Sequence, residues 1–250
     1  MAMPATETSP QTYARVGGLL YLIIIIAGGL GELLVRGTLV VPGNAAATAS
    51  HILASESLWR LGIVGDLVMH VCDVFVMWAI YVLLRPVNRN LALLTLLLNL
   101  IQTAVLVANK LNLLVPLFLL GDADYLKAFD PAQLQAWSYI AIKLHDYGFG
   151  VGLIFFGCVC LVEGYLIRKS RYLPWLIGVL MQIAGVCYLV NSFALLLAPA
   201  FEGKIFPAIL MPCLIAELSL ALWLLVKGVN VAEWKKQASM EPARASLAEI

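Results

Sequence analysis

The sequence predicts an all-α membrane protein, a polytopic bundle of six transmembrane helices, and two features of the chain indicate this fold. Hydrophobic residues make up 62% of the 250 residues and charged residues only 12%, about half of the charged share of soluble globular domains. The apolar residues also form runs of about 20 residues, which is the helix length that crosses a bilayer. Because lipid offers the backbone no hydrogen-bond partners, a helical bundle is the expected architecture.

Six apolar spans account for most of the chain. The predicted spans cover residues 16–36, 60–84, 91–110, 147–167, 174–197 and 205–227. They form a single domain, 13–230, between a polar leader, 1–12, and a tail, 231–250. The connection 85–89 is so short that the second and third spans must be antiparallel neighbours, whereas the path of residues 111–130 is left open.

Basic residues are distributed unevenly over the connections. If the amino terminus is cytoplasmic, the cytoplasmic side carries Arg15, Arg85, Arg89, Arg168, Lys169, Arg171, Lys227, Lys235, Lys236 and Arg244. The loops on the opposite side carry mainly Lys127 and Lys204. Cytoplasmic loops of membrane proteins are enriched in Lys and Arg. We therefore expect a multi-pass protein of the bacterial cell membrane with both termini in the cytoplasm.

Short motifs add little about function. Gly148 and Gly152 form a G-x-x-x-G motif, which permits close helix contact and suggests a homo-oligomer through that face. The sequence contains no P-loop, no H-E-x-x-H and no G-x-S-x-G. It also has no basic aromatic surface for nucleic acid. The expected partners are the lipid bilayer and a small ion or polar ligand.

Polar residues inside the spans are concentrated in the half of the bundle that faces the exterior in this orientation. Asp66, His70 and Asp73 have i, i+4 and i+7 spacing, which puts them on one helix face. We expect an outward-facing polar cavity that binds or transports a small cation, a proton or a polar ligand. The predicted lining of this cavity is Asp66, His70, Asp73, Asn99, Gln102, His145 and Glu217.

Two other interpretations stay open. In the first, the protein is a structural or assembly subunit, and its polar layer only orients helices through hydrogen bonds worth about 0.6–2 kcal/mol each. The predicted ion-pair residues are Glu32, Arg36, Glu56, Arg60, Lys110 and Asp146. In the second, Asp66, His70 and His145 hold a divalent metal such as zinc, and Asp73 or Glu217 acts as the base of an intramembrane hydrolase of lipid amides or esters.

The hydrolase interpretation is the weaker one, because two intramembrane histidines are fewer than the three nitrogen ligands that catalytic zinc often has. We therefore expect a binding or transport protein without a resident cofactor. Asp73 and Glu217 are its most unusual residues, since the sequence places no cation at their depth. We expect both to be protonated at neutral pH, or to share a proton or a bound cation.

Strings of residues throughout the chain carry a family resemblance. They lie at 14–15, 18–21, 31–32, 35–36, 54–56, 60, 83–89, 164–167, 217–219 and 222–228. The strings Leu-Leu-Arg-Pro-Val-Asn-Arg at 83–89 and Leu-Trp-Leu-Leu-Val-Lys-Gly at 222–228 are the most specific. Together the strings resemble the bacterial and archaeal membrane family known as domain of unknown function 4386, over residues 13–230. His51 and Ala216 depart from the family pattern, which has Asn and Gly there. The resemblance implies a multi-helix membrane protein and supplies no catalytic residues.

Overall fold

Nine helices and no strand make up the part of the chain that the structure, a computed structural model, describes, namely residues 8–247 with side chains to residue 240. The helices are α1 Pro10–Leu39, α2 Ala45–Ala54, α3 Glu56–Leu84, α4 Arg89–Leu119, α5 Pro131–Ser170, α6 Trp175–Leu197, α7 Pro199–Ile205, α8 Ala208–Val226 and α9 Val231–Leu247. Six of them, α1, α3, α4, α5, α6 and α8, are long and apolar enough to cross a membrane. The predicted fold class is confirmed, and the chain is a multi-pass membrane protein.

The polar residues between the spans start the helices. Ser9, Asn88 and Asp130 each accept a hydrogen bond from a backbone N–H in the first turn of α1, α4 and α5. Such side chains satisfy N–H groups that have no partner inside the helix. Pro10 and Pro131 occupy first helical positions, where the missing N–H costs nothing. Helix α1 begins at Pro10, inside the predicted leader 1–12, and residues 1–7 of that leader lie outside the described residues.

Residues 111–130, whose path the sequence did not determine, begin as an extension of the third span. After a break at Lys110, α4 continues to Leu119. A short 3₁₀ turn, Asp124–Ala128, then leads into α5. The break lies at Lys110, whose side chain enters the bundle interior.

Glycines set the spacing of the central helix pair, α5 and α6. A Cβ on Gly164 would lie 2.5 Å from the carbonyl oxygen of Gly178, and one on Gly178 would lie 2.5 Å from that of Gly164. Gly157 and Gly185 repeat this mutual contact two turns away. Lipid tails are as apolar as the side chains, so close van der Waals packing of this kind, rather than the hydrophobic effect, holds membrane helices together.

The predicted homo-oligomer face is used inside the chain. A Cβ on Gly148 would meet Asn109, and one on Gly152 would meet Leu106 at 2.5 Å, both of them on α4. The G-x-x-x-G motif therefore brings α4 and α5 together within one chain. A homo-oligomer through the Gly148 and Gly152 face stays a prediction.

Contacts between distant residues define the two ends of the bundle. The Gln11 side chain donates to the carbonyl of Lys227 at 3.1 Å and accepts from the backbone N–H of Val229 at 3.1 Å. The start of α1 and the end of α8 therefore lie at one end, together with the α3–α4 and α5–α6 turns. We call this the basic end, because most of the Lys and Arg residues lie there, and call the other the loop end. That the basic end faces the cytoplasm stays a prediction.

Candidate functional site

Asp66 of α3 is the centre of a buried ion cluster towards the loop end. Its Oδ2 accepts hydrogen bonds from Arg36 Nη1 and from Lys110 Nζ, each at 2.8 Å. Arg36 also donates from Nε to Glu32 at 2.7 Å. The side chains of Asp66 and Lys110 are 1% and 4% exposed, whereas Glu32 is 63% exposed. Two cations and two carboxylates leave this cluster without net charge, so the buried charges are mutually compensated.

Local backbone geometry allows these charges to meet. Residues Gly31–Arg36 form a π-helical turn inside α1, and such turns are frequent at functional sites. A Cβ on Gly31 would lie 3.0 Å from Asp66 Oδ1 and 3.4 Å from Arg36 Nη2. The absence of a side chain at Gly31 thus leaves room for the carboxylate beside the helix backbone. Lys110 enters from the break in α4.

His145 of α5 contacts the other side of Lys110. The Lys110 ammonium lies 3.2 Å from His145 Nε2. An ammonium is only a donor, so this contact assigns the acceptor role to Nε2 and the proton to Nδ1 of a neutral ring. The carbonyl of His145 accepts from Asn109 Nδ2 at 2.8 Å. Lys110 therefore lies between Asp66 and His145, at the place where the hydrolase interpretation needs a metal ion.

Asp73 lies two turns further along α3, in a different environment. Its Oδ2 accepts from Asn99 Nδ2 at 2.9 Å and from Thr103 Oγ1 at 2.5 Å. Both donors belong to α4 and are neutral. Asn99 and Thr103 are buried, and Asp73 is half-buried. This carboxyl group thus has hydrogen-bond partners but no counter-ion among the contacts described.

Glu217 of α8 has a comparable environment on the other side of the bundle. Oε2 accepts from the Tyr21 hydroxyl at 3.1 Å, and Oε1 accepts from the Tyr188 hydroxyl. Tyr21 belongs to α1 and Tyr188 to α6, so three helices converge on this carboxyl group. Both donors are again neutral.

Glu163 of α5 is more completely buried than Asp73 and Glu217. It is 2% exposed, and its Oε1 has no hydrogen-bond partner in the described part of the chain. It lines a void of about 10 Å³, together with Ile80, Leu83, Leu84, Ile167, Leu173, Leu220 and Leu224. Apart from Glu163, the side chains that line this void are apolar and offer a water molecule no hydrogen-bond partner. Glu163 lies within electrostatic range of both Glu217 and Asp73, so the three acids are neighbours.

The acids form a ladder across the bundle. At about 1.5 Å of rise per residue, Asp66 lies roughly 28 Å from the basic end, Asp73 about 18 Å, Glu217 about 15 Å and Glu163 about 12 Å. Between Glu163 and the basic end most buried side chains are apolar, among them Leu84 and Leu224, with Thr95 as a buried polar residue. Towards the loop end the polar residues continue through Asp66 to the exposed Glu32. Charged residues inside the bundle are therefore more numerous on the loop-end side of Glu163.

Of the seven residues predicted to line one cavity, five fall into three groups. His145 joins Asp66 through Lys110, Asn99 joins Asp73, and Glu217 binds the two tyrosines. His70 and Gln102 are buried, and neither His70 Nε2 nor Gln102 Oε1 has a partner among the described residues. The shared cavity stays a prediction. Among the side chains that the structure describes, those of residues 8–240, no three His, Cys, Asp or Glu side chains are grouped closely enough to hold a metal ion.

Among the residues predicted for ion pairs, Glu56 and Arg60 pair at 2.7 Å on the exposed start of α3. Asp146 lies 3.2 Å from Lys143, a partner that sequence reasoning did not consider. Sequence reasoning also missed Thr103, Tyr21, Tyr188 and Glu163. One signal could have found Glu163, namely its position next to Gly164 in the glycine stripe that faces α6.

Three comparisons place the chain among known sequences. The model of the family "Domain of unknown function (DUF4386)" matches residues 16–228. A protein of Archaeoglobus fulgidus, described as an uncharacterized protein, is 30% identical over 171 residues, which cover 68% of this chain and 86% of that protein. No solved structure matches significantly.

Proposed function

Since the chain belongs to the DUF4386 family, whose description states no activity, we propose a function from its own residues: it binds protons at three intramembrane carboxyl groups, those of Asp73, Glu163 and Glu217, and conducts protons through the membrane. One observation carries this proposal. The hydrogen-bond partners found for Asp73 and Glu217 are all neutral, and Oε1 of Glu163 has none. Ionisable residues inside a membrane typically mark ion pathways or proton relays.

Protons suit these three acids better than a metal ion does. An unpaired carboxylate in an apolar interior costs several kcal/mol, and protonation removes that cost. A divalent metal would need several ligands at one point, whereas the described His, Cys, Asp and Glu residues form no such group. Each acid can hold its own proton. The ladder towards Glu32 supports access from the loop end, which is the exterior in the predicted orientation.

The structure gives less support to the other two interpretations. For the hydrolase, the Lys110 ammonium lies 2.8 Å from Asp66 and 3.2 Å from His145, so two of the three predicted zinc ligands already bind a cationic side chain. For a structural subunit, the ion cluster at Asp66 is sufficient to join α1, α3 and α4. A structural role does not account for Asp73, Glu163 and Glu217, since their described contacts include no counter-ion.

Proton flux into liposomes tests the proposal. The purified protein is reconstituted with a pH-sensitive dye inside the vesicles, and a membrane potential is imposed. We expect flux above that of empty vesicles, and a reduction of roughly tenfold or more in Glu163→Gln and Glu217→Gln, because an amide cannot relay a proton. Glu56→Gln, the same chemical change on an exposed pair, is the matched control and should retain the flux.

Two results would overturn the proposal. One is flux equal to that of empty vesicles under potentials of both signs and under pH gradients in both directions. The other is flux that Glu163→Gln and Glu217→Gln retain in full, which would show that these carboxyl groups do not carry the protons.

A further inference from the structure

A cleft at the basic end has no part in the carboxyl ladder. It encloses about 730 Å³, which is within the range of small-molecule pockets of roughly 300–1,000 Å³. Its walls come from three places: the end of α5, the α3–α4 turn and the tail helix α9. The lining residues are Val87, Asn88, Tyr165, Arg168, Lys169, Arg171, Glu233, Lys236, Gln237 and Met240.

The tail helix is fastened across the ends of the spans, which gives the cleft a fixed wall. Trp234 Nε1 donates to the carbonyl of Leu83 at 3.0 Å, and the Tyr172 hydroxyl donates to the same carbonyl at 2.6 Å. Burial raises the pKa of the Tyr172 hydroxyl, so it remains a donor. The Gln237 side chain, 6% exposed, donates to the carbonyl of Ser170 at 2.5 Å. The tail therefore acts as a structural element of this end of the bundle.

The charge of the cleft is strongly positive. Four of its lining residues are cations, Arg168, Lys169, Arg171 and Lys236, and one, Glu233, is a carboxylate, which leaves an excess of three positive charges. Only Arg168 has a side-chain partner, Gln182 Oε1 at 2.8 Å, among the described side-chain hydrogen bonds of these cations. An anion entering the cleft would thus meet several cationic groups without having to break an internal ion pair.

Arg171 occupies a conformation that glycine would adopt at lower cost. Its φ of 62° is left-handed and ends helix α5. This conformation costs a residue with a side chain roughly 1–2 kcal/mol, and glycine is the usual residue at such a helix end. Residues held in such a strained conformation cluster at ligand sites.

We propose that this cleft binds a phosphate-bearing anion. Arginine and lysine are the side chains that recognise phosphate, and basic pockets at the cytoplasmic ends of membrane helices hold anionic headgroups. Glu233 at the same cleft can accept a hydrogen bond from a hydroxyl or ammonium group of the ligand. Half-exposed Tyr165 faces the bundle surface at the mouth of the cleft. The phosphate can belong to an anionic phospholipid or to a soluble organic phosphate.

A double variant with a matched control tests the cleft. Arg171→Gln/Lys236→Gln removes two charges from it, and Lys127→Gln/Lys204→Gln removes two charges from exposed positions at the loop end. Binding is measured by native mass spectrometry of protein in neutral detergent with phosphatidylglycerol or phosphatidylcholine, and by calorimetry with glycerol 3-phosphate. We expect the cleft variant to lose about tenfold or more in phosphatidylglycerol affinity, and the control variant to match the unsubstituted protein.

The arms distinguish the two sources of phosphate. If the unsubstituted protein retains phosphatidylglycerol but does not bind glycerol 3-phosphate, the ligand of the cleft is a lipid. If the unsubstituted protein binds glycerol 3-phosphate and the cleft variant does not, the ligand is soluble. If the double variant does not fold, Lys169→Gln, an exposed single change, replaces it. Equal binding of each ligand by the cleft and control variants would overturn the proposal.

Discussion

Asp66 and Glu217 are both acids inside the bundle, but their surroundings are opposite. Asp66 accepts hydrogen bonds from an arginine and a lysine, whereas Glu217 accepts from two tyrosine hydroxyls. A charge in lipid can be neutralised by a counter-ion or by a proton. Under the proposed function this chain uses both solutions: an ion cluster near the loop end stabilises the bundle, and protonated acids in the middle bind the transported protons.

The largest expected effect is on stability at the ion cluster. Asp66→Ala would leave Arg36 and Lys110 buried without their shared carboxylate, and removing one partner from a buried pair costs about 3–5 kcal/mol. Lys110→Met should cost less, because Arg36 still compensates Asp66. Denaturant unfolding in detergent measures both. A loss below about 1 kcal/mol for Asp66→Ala would show that the cluster is not structural.

The next largest expected effect on stability is at Gly31, whose lack of a side chain leaves room for the Asp66 carboxylate. Gly31→Ala would place a Cβ 3.0 Å from Asp66 Oδ1, and we expect a loss of about 1–3 kcal/mol, as for other overpacked sites. Gly29→Ala in the same helix is the matched control, because nothing lies within 4 Å of its Cβ. That change should be neutral or stabilising by about 0.5–1 kcal/mol. Equal melting temperatures of the two variants would contradict this account of the π-helical turn.

A smaller effect at Glu217 distinguishes a neutral acid from a charged one. Tyr188→Phe removes one hydrogen-bond donor. Losing a hydrogen bond costs about 0.5–1.5 kcal/mol of stability when both groups are neutral, but about 1.5–3 kcal/mol when one group is charged. We expect the lower value, and we expect the same value when the change is made in a Glu217→Gln background. Unfolding of the four proteins of this cycle gives the comparison. A cost that falls sharply in the Gln background would indicate an ionised Glu217.

The smallest effect is expected at the exposed pair. Glu56→Gln breaks a 2.7 Å contact with Arg60 in which both side chains are about half exposed. Surface pairs of this kind contribute about 0–1 kcal/mol. The same unfolding assay should therefore barely register the change. A larger loss would mean that α3 depends on this pair to start.

The sequence was sufficient to predict the six spans, because length and hydropathy determine them, and the shared face of Asp66 and Asp73, because helix periodicity determines it. It could not predict which donors reach each acid. Arg36 reaches Asp66 through a π-helical turn, and Lys110 reaches it through a break in α4, and neither irregularity has a clear sequence signature. Sequence reasoning also did not single out Glu163, because depth along a helix does not show whether a side chain points to lipid or to the bundle interior, and Glu163 is buried.

The most direct test of the central claim is infrared spectroscopy of the protonated carboxyl band at neutral pH, in lipid nanodiscs. The account predicts that this band loses intensity in Asp73→Asn, Glu163→Gln and Glu217→Gln and keeps it in Asp66→Asn. A band that none of the first three substitutions changes, or one that only Asp66→Asn removes, would contradict the division between an ionised cluster and protonated acids.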